Sequence, residues 1–414
     1  MKIYQVGGSV RDLLLGLPAV DRDYVVVGAT ADAMLAAGYQ PVGKDFPVFL
    51  HPKTKEEYAL ARTERKIARG YTGFAFQADP DVTLEEDLLR RDLTINAMAF
   101  NEDGSLVDPY GGANDIAAKV FRHVSDAFAE DPLRVLRLAR FAARFTEFTV
   151  APETLALCKK LVDDGEVREL VAERVWQEIS RGLMEAQPSR MFEVLRTCGA
   201  LAELAPELDR LWGVPQKAQW HPEIDTGIHI MQVIDYAAHR QWPLATRFAA
   251  LTHDLGKGLT PADMLPAHHA HEARSAKLVD ALSVRWRVQR DVAELARAVA
   301  AEHGNLGKLK DMRPATVHDV LMRCDVMRRP ERFVQMLDAC EADRSSRRAV
   351  GLPENAGEPF TARADAMAAL AAMQSVAAGA IAVGMVTQGK SERIAEAVRE
   401  ARIEAIRVAR AGLL

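Results

Sequence analysis

The chain has 414 residues, 49% of them apolar and 27% charged, with a net charge of −5 at neutral pH. This length suits two to four domains, and the apolar share builds real cores, which excludes disorder as the dominant state. The slight acidity excludes bulk coating of nucleic acid, while a local basic stripe remains open.

In chain order, residues 2–6 read as a strand, Gly7-Gly8 as a turn and residues 10–15 as a helix start. Residues 24–27 form a β-branched strand, 31–37 a helix, and 48–50 and 57–61 further strands. No signal-peptide pattern precedes the first strand. From Ser125 onward strand patterns disappear. Apolar residues recur at helical spacing through Leu133, Leu136, Leu138, Phe141 and Phe145. Aromatics are only 6%, which also favours helices over β-sandwiches. The expected fold class is α+β, an α/β head followed by an all-helical remainder. Residues 366–386 carry no charge, but nine are Ala and only five are Leu, Ile or Val. Membrane insertion is driven by the larger side chains, so a small-residue helix packed in a helical domain is expected, and no membrane. Cys158, Cys198, Cys324 and Cys340 are scattered without a C-x-x-C pair. That spacing suits reduced thiols and a cytoplasmic protein.

Asp21-Arg22-Asp23 opens the second strand. Residues two apart on a strand project to one face, with Cα atoms roughly 6–7 Å apart. Carboxylates so placed can share two metal ions about 3.5–4 Å apart, and crowding them is costly without a cation. Alone, the pair reads as well as a solvated turn. Here it follows Gly7-Gly8-Ser9-Val10-Arg11-Asp12. Gly-Gly at a strand end lets backbone N–H groups approach phosphate, and the helix start beyond favours anions. Ser9 offers a hydroxyl and Arg11 a fork for phosphate. The combination predicts phosphoryl transfer, with a triphosphate on the loop at Gly8 and Arg11 and Mg²⁺ on Asp21 and Asp23. Further on, Arg134, Arg137, Arg140 and Arg144 share one arc of a helix. Only Asp131 and Glu147 flank them, so the stripe is expected to be locally basic.

The segments GGSVRD and DRDYVV resemble the nucleotidyltransferase superfamily, and within it the class II tRNA CCA-adding enzymes and poly(A) polymerases. Arg90-Arg91-Asp92-Leu93-Thr94-Ile95-Asn96-Ala97 is similar to the family's second motif. Asp108-Pro109-Tyr110-Gly111-Gly112 is similar to its third. The run from Glu130 to Phe141 is similar to its nucleotide-reading helix, and Glu173 to Ile179 to its supporting neck helix. The resemblance implies that Asp131 and Arg134 pair with the base edges of CTP and then ATP. Carboxylate would accept from the exocyclic amine that C and A share, and guanidinium would donate to ring acceptors. Arg91, Arg137 and Arg140 would hold base or triphosphate. Residues 61–71 would be the flexible basic loop associated with the switch from C to A addition. The substrates implied are the tRNA 3′ end, CTP and ATP.

Histidines cluster downstream. His253-Asp254 follows an apolar helical run and resembles the HD phosphohydrolase superfamily. The resemblance implies a divalent metal site with His229 as first ligand and His271 and His303 as later ones. Asp343 is preferred over Asp325 as the closing ligand, and His268 and His269 read as neighbours rather than ligands. Imidazole with carboxylate suits a transition ion such as Ni²⁺ or Mn²⁺, which would activate water for attack on a phosphoester. An HD domain after the neck is similar to the proteobacterial, multifunctional type. The expected domains are a head at 1–124, a neck at 125–227, an HD domain at 228–345 and a helical tail at 346–414. Arg393, Arg399, Arg402, Arg407 and Arg410 in the tail would permit contact with tRNA. Poly(A) polymerase, and a hydrolase with an RNA-binding head, are the competing readings. Monomer and homodimer stay open.

Overall fold

The computed structural model describes residues 1–19, 22–42, 48–66, 74–348 and 359–411. The chain forms two compact units, Met1–Ile179 with Arg190–Leu204, and Ser180–Ser189 with Ala205–Leu414.

The first unit is built on strands β1 (Lys2–Val6), β2 (Asp23–Val27), β3 (Gln40–Val42), β4 (Val48–Leu50), β5 (Glu57–Leu60), β6 (Arg62–Lys66), β7 (Phe74–Ala78), β8 (Ala99–Phe100) and β9 (Leu106–Val107). Seven of them make one mixed sheet, in the order β3-β4-β5-β2-β1-β8-β9. β2 sits near the middle because both its faces are apolar. Val25 packs with Val6, Ala61 and Leu88 on one face, and Val26 with Met34, Phe49 and Leu60 on the other. Burying each such valine contributes about 1.5–3 kcal/mol. β6 and β7 pair as a separate antiparallel hairpin. Residues 62–66 of the expected basic loop are therefore strand, and residues 67–71 lie outside the described residues. The short helix α1 (Gly8–Leu14) follows β1 directly. Beyond the sheet come α2 (Leu133–Arg144) and α3 (Ala172–Leu183), whose last four residues belong to the second unit. Strand does not vanish entirely after Ser125, since Thr149–Val150 pairs in parallel with Val120–Phe121.

The second unit is helical. Its principal helices are α4 (Thr226–His239), α5 (Leu244–Thr252), α6 (His271–Trp286), α7 (Arg290–Leu306) and α8 (Pro330–Ser345). α5 is the hub, packed against α4, α7 and α8. Its run from Thr246 to Thr252 is wholly buried, with the polar Arg247 and Thr252 bonded to backbone carbonyls. Asp225 caps α4 by accepting from the Ile228 N–H, and Pro330 starts α8 at its first turn. The uncharged tail stretch becomes two helices, α9 (Ala362–Gln374) and α10 (Ala378–Thr387), followed by α11 (Ile394–Ala411). As one stretch, Ala362–Thr387 is long and apolar enough to cross a membrane. The break after Gln374 leaves halves of 13 and 10 residues, each short of the ~20 a span needs. α9 buries Ala366, Ala369, Leu370 and Met373, as expected of a packed small-residue helix. α10 packs along α11 but is only half-buried, with no residue fully enclosed.

Candidate active sites

In the head, β2 opens at Asp23, in register with Val6 of antiparallel β1 and with Glu57 of parallel β5. Asp23 and Glu57 are both exposed. Alternation along the strands puts both on the face that carries Val25 and Ala61. Asp21 lies outside the described residues. Glu57 thus adds a carboxylate to this edge that sequence reading missed, because the signal is strand pairing rather than spacing.

The Gly7-Gly8 turn sits at the same end of β1. Gly7 has φ +72°, and a Cβ there would meet Arg91 Nη1 at 3.0 Å. A Cβ on Gly8 would meet Arg11 Nη2 at 3.4 Å. Two guanidinium groups therefore flank the turn. Arg91 donates to Asp87 Oδ2 at 3.1 Å. Arg11 is buried, donating to Asp12 at 2.9 Å and Asn96 at 2.7 Å, beneath the rings of Phe141 and Phe145. Burial lowers its pKa although Asp12 opposes the shift. Ser9 is also buried, and its hydroxyl donates to the Val6 carbonyl at 3.1 Å.

The arginine stripe of α2 is not an uncompensated basic surface. Arg137 pairs with Asp92 at 2.8 Å, Arg140 with Glu178 at 2.6 Å and Arg144 with Asp12 at 3.0 Å. The acids come from distant parts of the chain, which is why counting sequence neighbours misjudged the charge. Arg134 is buried and donates to the carbonyls of Ala127 and Arg90, at 2.7 and 2.6 Å. Asp131 accepts from the Leu133 N–H at 3.0 Å and from Arg174 of α3 at 2.9 Å. Arg174 is a second partner that spacing did not reveal.

In the helical unit, α5 ends at His253 and the chain turns through Asp254 into a short 3₁₀ segment. His229 comes from the first turns of α4, His271 starts α6, His303 lies near the end of α7 and Asp343 near the end of α8. The structure brings all six together. His229 Nε2 is 3.2 Å and His253 Nε2 3.8 Å from Asp343 Oδ1. Asp254 turns Oδ2 to His253 at 3.1 Å, and Oδ1 to His271 and His303 at 3.2 and 3.5 Å. Five of the six fall into two groups that share Asp254, one with His229 and His253 and the other with His271 and His303, and His229 also groups with His221 and Glu223. Asp325 is elsewhere, ion-paired with Arg332 at 3.6 Å.

Nδ1 of His253, His271 and His303 lies 2.8, 2.8 and 3.1 Å from the carbonyls of Ala250, His268 and Val299. That contact fixes the tautomer and leaves the Nε2 lone pair as the metal-facing donor. His268 therefore anchors a neighbour rather than joining the cluster. Gly256 lets α6 come close, since a Cβ there would stand 2.2 Å from the His271 carbonyl. Nε2 of His229, Nε2 of His253 and Oδ1 of Asp254 are buried and make no hydrogen bond. Buried polar atoms are normally satisfied, so this donor set fits a divalent cation. Two resident cations border it. Lys257 Nζ lies 2.6 Å from Asp254 Oδ2, and Arg347 Nη2 2.7 Å from Asp343 Oδ1. Burial would raise the Asp254 and Asp343 carboxyls, but His253 and Lys257 hold the first, and Arg347 and His229 the second, well below the usual range.

Residues 3–122 match the family described as the Poly A polymerase head domain, and residues 226–343 the HD domain. Between them, residues 147–211 match the "Probable RNA and SrmB-binding site of polymerase A". A Multifunctional CCA protein of Janthinobacterium sp. (strain Marseille) is 60% identical over 99% of this chain and 98% of its own. The chain belongs to the multifunctional CCA protein family. Its relative in Cupriavidus necator is 62% identical over 92% of this chain and 93% of its own. Two CCA-adding enzyme structures share the fold. One, solved with CTP, has a TM-score of 0.60 at 22% identity, over 98% of this chain and 87% of its own. The Thermotoga maritima enzyme, complexed with tRNA, has a TM-score of 0.61 at 19% identity, over 100% and 92%. For this family the head and the histidine cluster are two separate candidate sites.

Proposed function

We infer that this protein adds the CCA sequence to the 3′ end of tRNA, using CTP and ATP without a nucleic-acid template, and that its HD domain hydrolyses phosphoesters. The observation that carries the reading is the presence of both constellations in one chain whose full length matches multifunctional CCA proteins. The four-part division into head, neck, HD domain and tail is proposed with it, as is a cytoplasmic location.

In the head, Asp21 and Asp23 would hold Mg²⁺, with Glu57 beside Asp23, because hard oxygen donors suit that ion. Such an ion, when bound, supplies charge neutralisation at the α-phosphate. The Gly7-Gly8 turn gives backbone N–H groups to the triphosphate, with Arg91 and Arg11 flanking it. Asp131 and Arg134 read the base edge, while Asp92 and Glu178 hold Arg137 and Arg140 in place. The tRNA 3′ oxygen then attacks the α-phosphorus and pyrophosphate leaves.

In the HD domain, His229, His253, Asp254, His271, His303 and Asp343 would hold a transition ion, Ni²⁺ or Mn²⁺. Such an ion supplies an activated water for phosphatase or cyclic phosphodiesterase chemistry. Lys257 and Arg347 balance the charge of the carboxylates.

Incubation with a tRNA lacking its terminal CCA, and each nucleotide in turn, tests the head. Addition should stop after C, C and A. Continued A addition would point to a poly(A) polymerase, and no addition to a binding module. Asp23→Ala should abolish incorporation of both nucleotides while tRNA binding persists, as read by gel shift. Near-normal incorporation would remove Asp23 from the catalytic role.

A further inference from the structure

The segment that leads into α4, from Gly213 to Asp225, was counted with the neck, yet it carries side chains into the histidine cluster. Gln216 is buried, and its Oε1 accepts at 2.5 Å from Lys257 Nζ, the same ammonium that pairs with Asp254. Glu223 is also buried, with Oε1 2.8 Å from Nδ1 of His229 and 3.0 Å from Nδ1 of His221. Its Oε2 is buried without a hydrogen-bond partner.

The other three histidines of the cluster anchor Nδ1 on a backbone carbonyl. His229 is the exception. It stands in the first turn of its helix, and the group facing its Nδ1 is a carboxylate from the preceding loop. The contact is an ion-pair approach off the hydrogen-bond line, since His229 Nδ1 makes no aligned hydrogen bond. Nε2 of the same ring faces Asp343 at 3.2 Å. The ring is therefore held between two carboxylates, one on the ligand side and one behind it. The backbone is strained where it delivers Glu223. Ile224, a β-branched residue, has φ +63°, a conformation such residues rarely adopt. It is held there by its N–H to the His221 carbonyl at 2.9 Å and by the Gln216 N–H to its own carbonyl at 2.7 Å. Strain of this kind persists only where the surroundings fix it, and here it sets Glu223 behind His229.

We propose that Glu223 is a positioning residue of the HD metal site: its carboxylate, facing Nδ1 of His229, orients the ring with Nε2 toward the ion and by its charge makes it a stronger donor. This rests on reading His229 as a metal ligand. Carboxylates behind ligating histidines orient the ring and raise its basicity, and their loss costs about 10–100-fold in metal affinity. Because the other three anchors are backbone atoms, Glu223 is the one whose strength a substitution can change.

The test uses the full-length protein freed of metal and titrated with Co²⁺, followed by calorimetry and visible absorption. Glu223→Gln keeps shape and an acceptor but loses the charge, and should weaken Co²⁺ about 10-fold. Glu223→Ala should fall toward 100-fold, with a shifted absorption band. If Glu223→Ala does not fold, Glu223→Gln decides alone. Wild-type affinity and spectrum in the variants overturn the proposal, including where their thermal stability falls, since the role is then structural. No Co²⁺ binding by the wild-type protein overturns the ligand reading of His229, and this proposal with it.

Discussion

Arg137 and Asp92 stand 45 residues apart in sequence, and their pairing has a consequence for acid stability. Burial would raise the Asp92 carboxyl, but Arg137 and the Asn96 amide hold it well below the usual range. A depressed folded pKa contributes stability above the unfolded value of about 4, and that contribution is lost as pH falls below it. Asp92→Asn should cost about 1.5–3 kcal/mol at pH 7, the range for a hydrogen bond to a charged group. Arg137 keeps 38% of its side chain in water, which favours the lower end. The gap from wild type should begin to narrow below about pH 4 and go on narrowing as pH falls toward the depressed folded pKa, read by urea unfolding across pH. Asp131 makes a different prediction. Asp131→Ala should relax discrimination against UTP and GTP by roughly 1–3 kcal/mol, by analogy with bidentate base readout. Unchanged selectivity with weaker triphosphate binding would make it a phosphate holder. The residue types at both sites were legible in the sequence. Their partners were not, because Asp92, Glu178 and Asp12 reach α2 from distant segments, and Glu57 reaches Asp23 only through strand register.

Among elements, β2 was legible because its β-branched run is apolar on both faces. The two-residue strands β8 and β9 and the edge strand β3, Gln-Pro-Val, offer no alternation long enough to read. The helix α5 was legible as an apolar run ending in His-Asp, and its central position follows from that composition. The close approach of α6 to the 3₁₀ segment that follows α5 was not legible, since one glycine permits it. At Gly256 an added methyl would meet backbone atoms, the His271 carbonyl at 2.2 Å and the Ser275 nitrogen at 2.6 Å. Backbone cannot swing aside as a side-chain tip does, so Gly256→Ala should displace the start of α6. The expected cost is about 1–3 kcal/mol, the usual range for overpacking. Because His271 begins that helix, metal binding should weaken as well. A thermal melt with a Co²⁺ titration of the same variant checks both, and wild-type values would show that α6 shifts without strain.

For the molecule as a whole, the two sites are built on different units, so their activities should separate. His253→Ala should remove metal-dependent phosphoester hydrolysis and leave CCA addition near wild type. Asp23→Ala should do the reverse. Assaying both activities in each variant, with Mg²⁺ and with Ni²⁺, decides. Loss of CCA addition in a folded His253 variant would make the HD region part of the transferase.

Separable activities do not mean a separable chain. The polypeptide passes between the two units three times, because residues 180–189 belong with the second and residues 190–204 return to the first. The buried Arg247 of α5 donates to the carbonyls of Leu183 and Glu185, and Ser189 donates to Asp235 of α4. A hydrolase fragment beginning at Ala205 would lose all of these and leave Nη1 of Arg247 without its partners in the interior, with only Nε and Nη2 still bonded, to Trp242 and Ala238. Gene recombination between relatives therefore has no single crossover point that transplants one activity intact. The ten residues from Ser180 to Ser189 have to travel with the hydrolase half, while the fifteen that follow stay behind with the transferase.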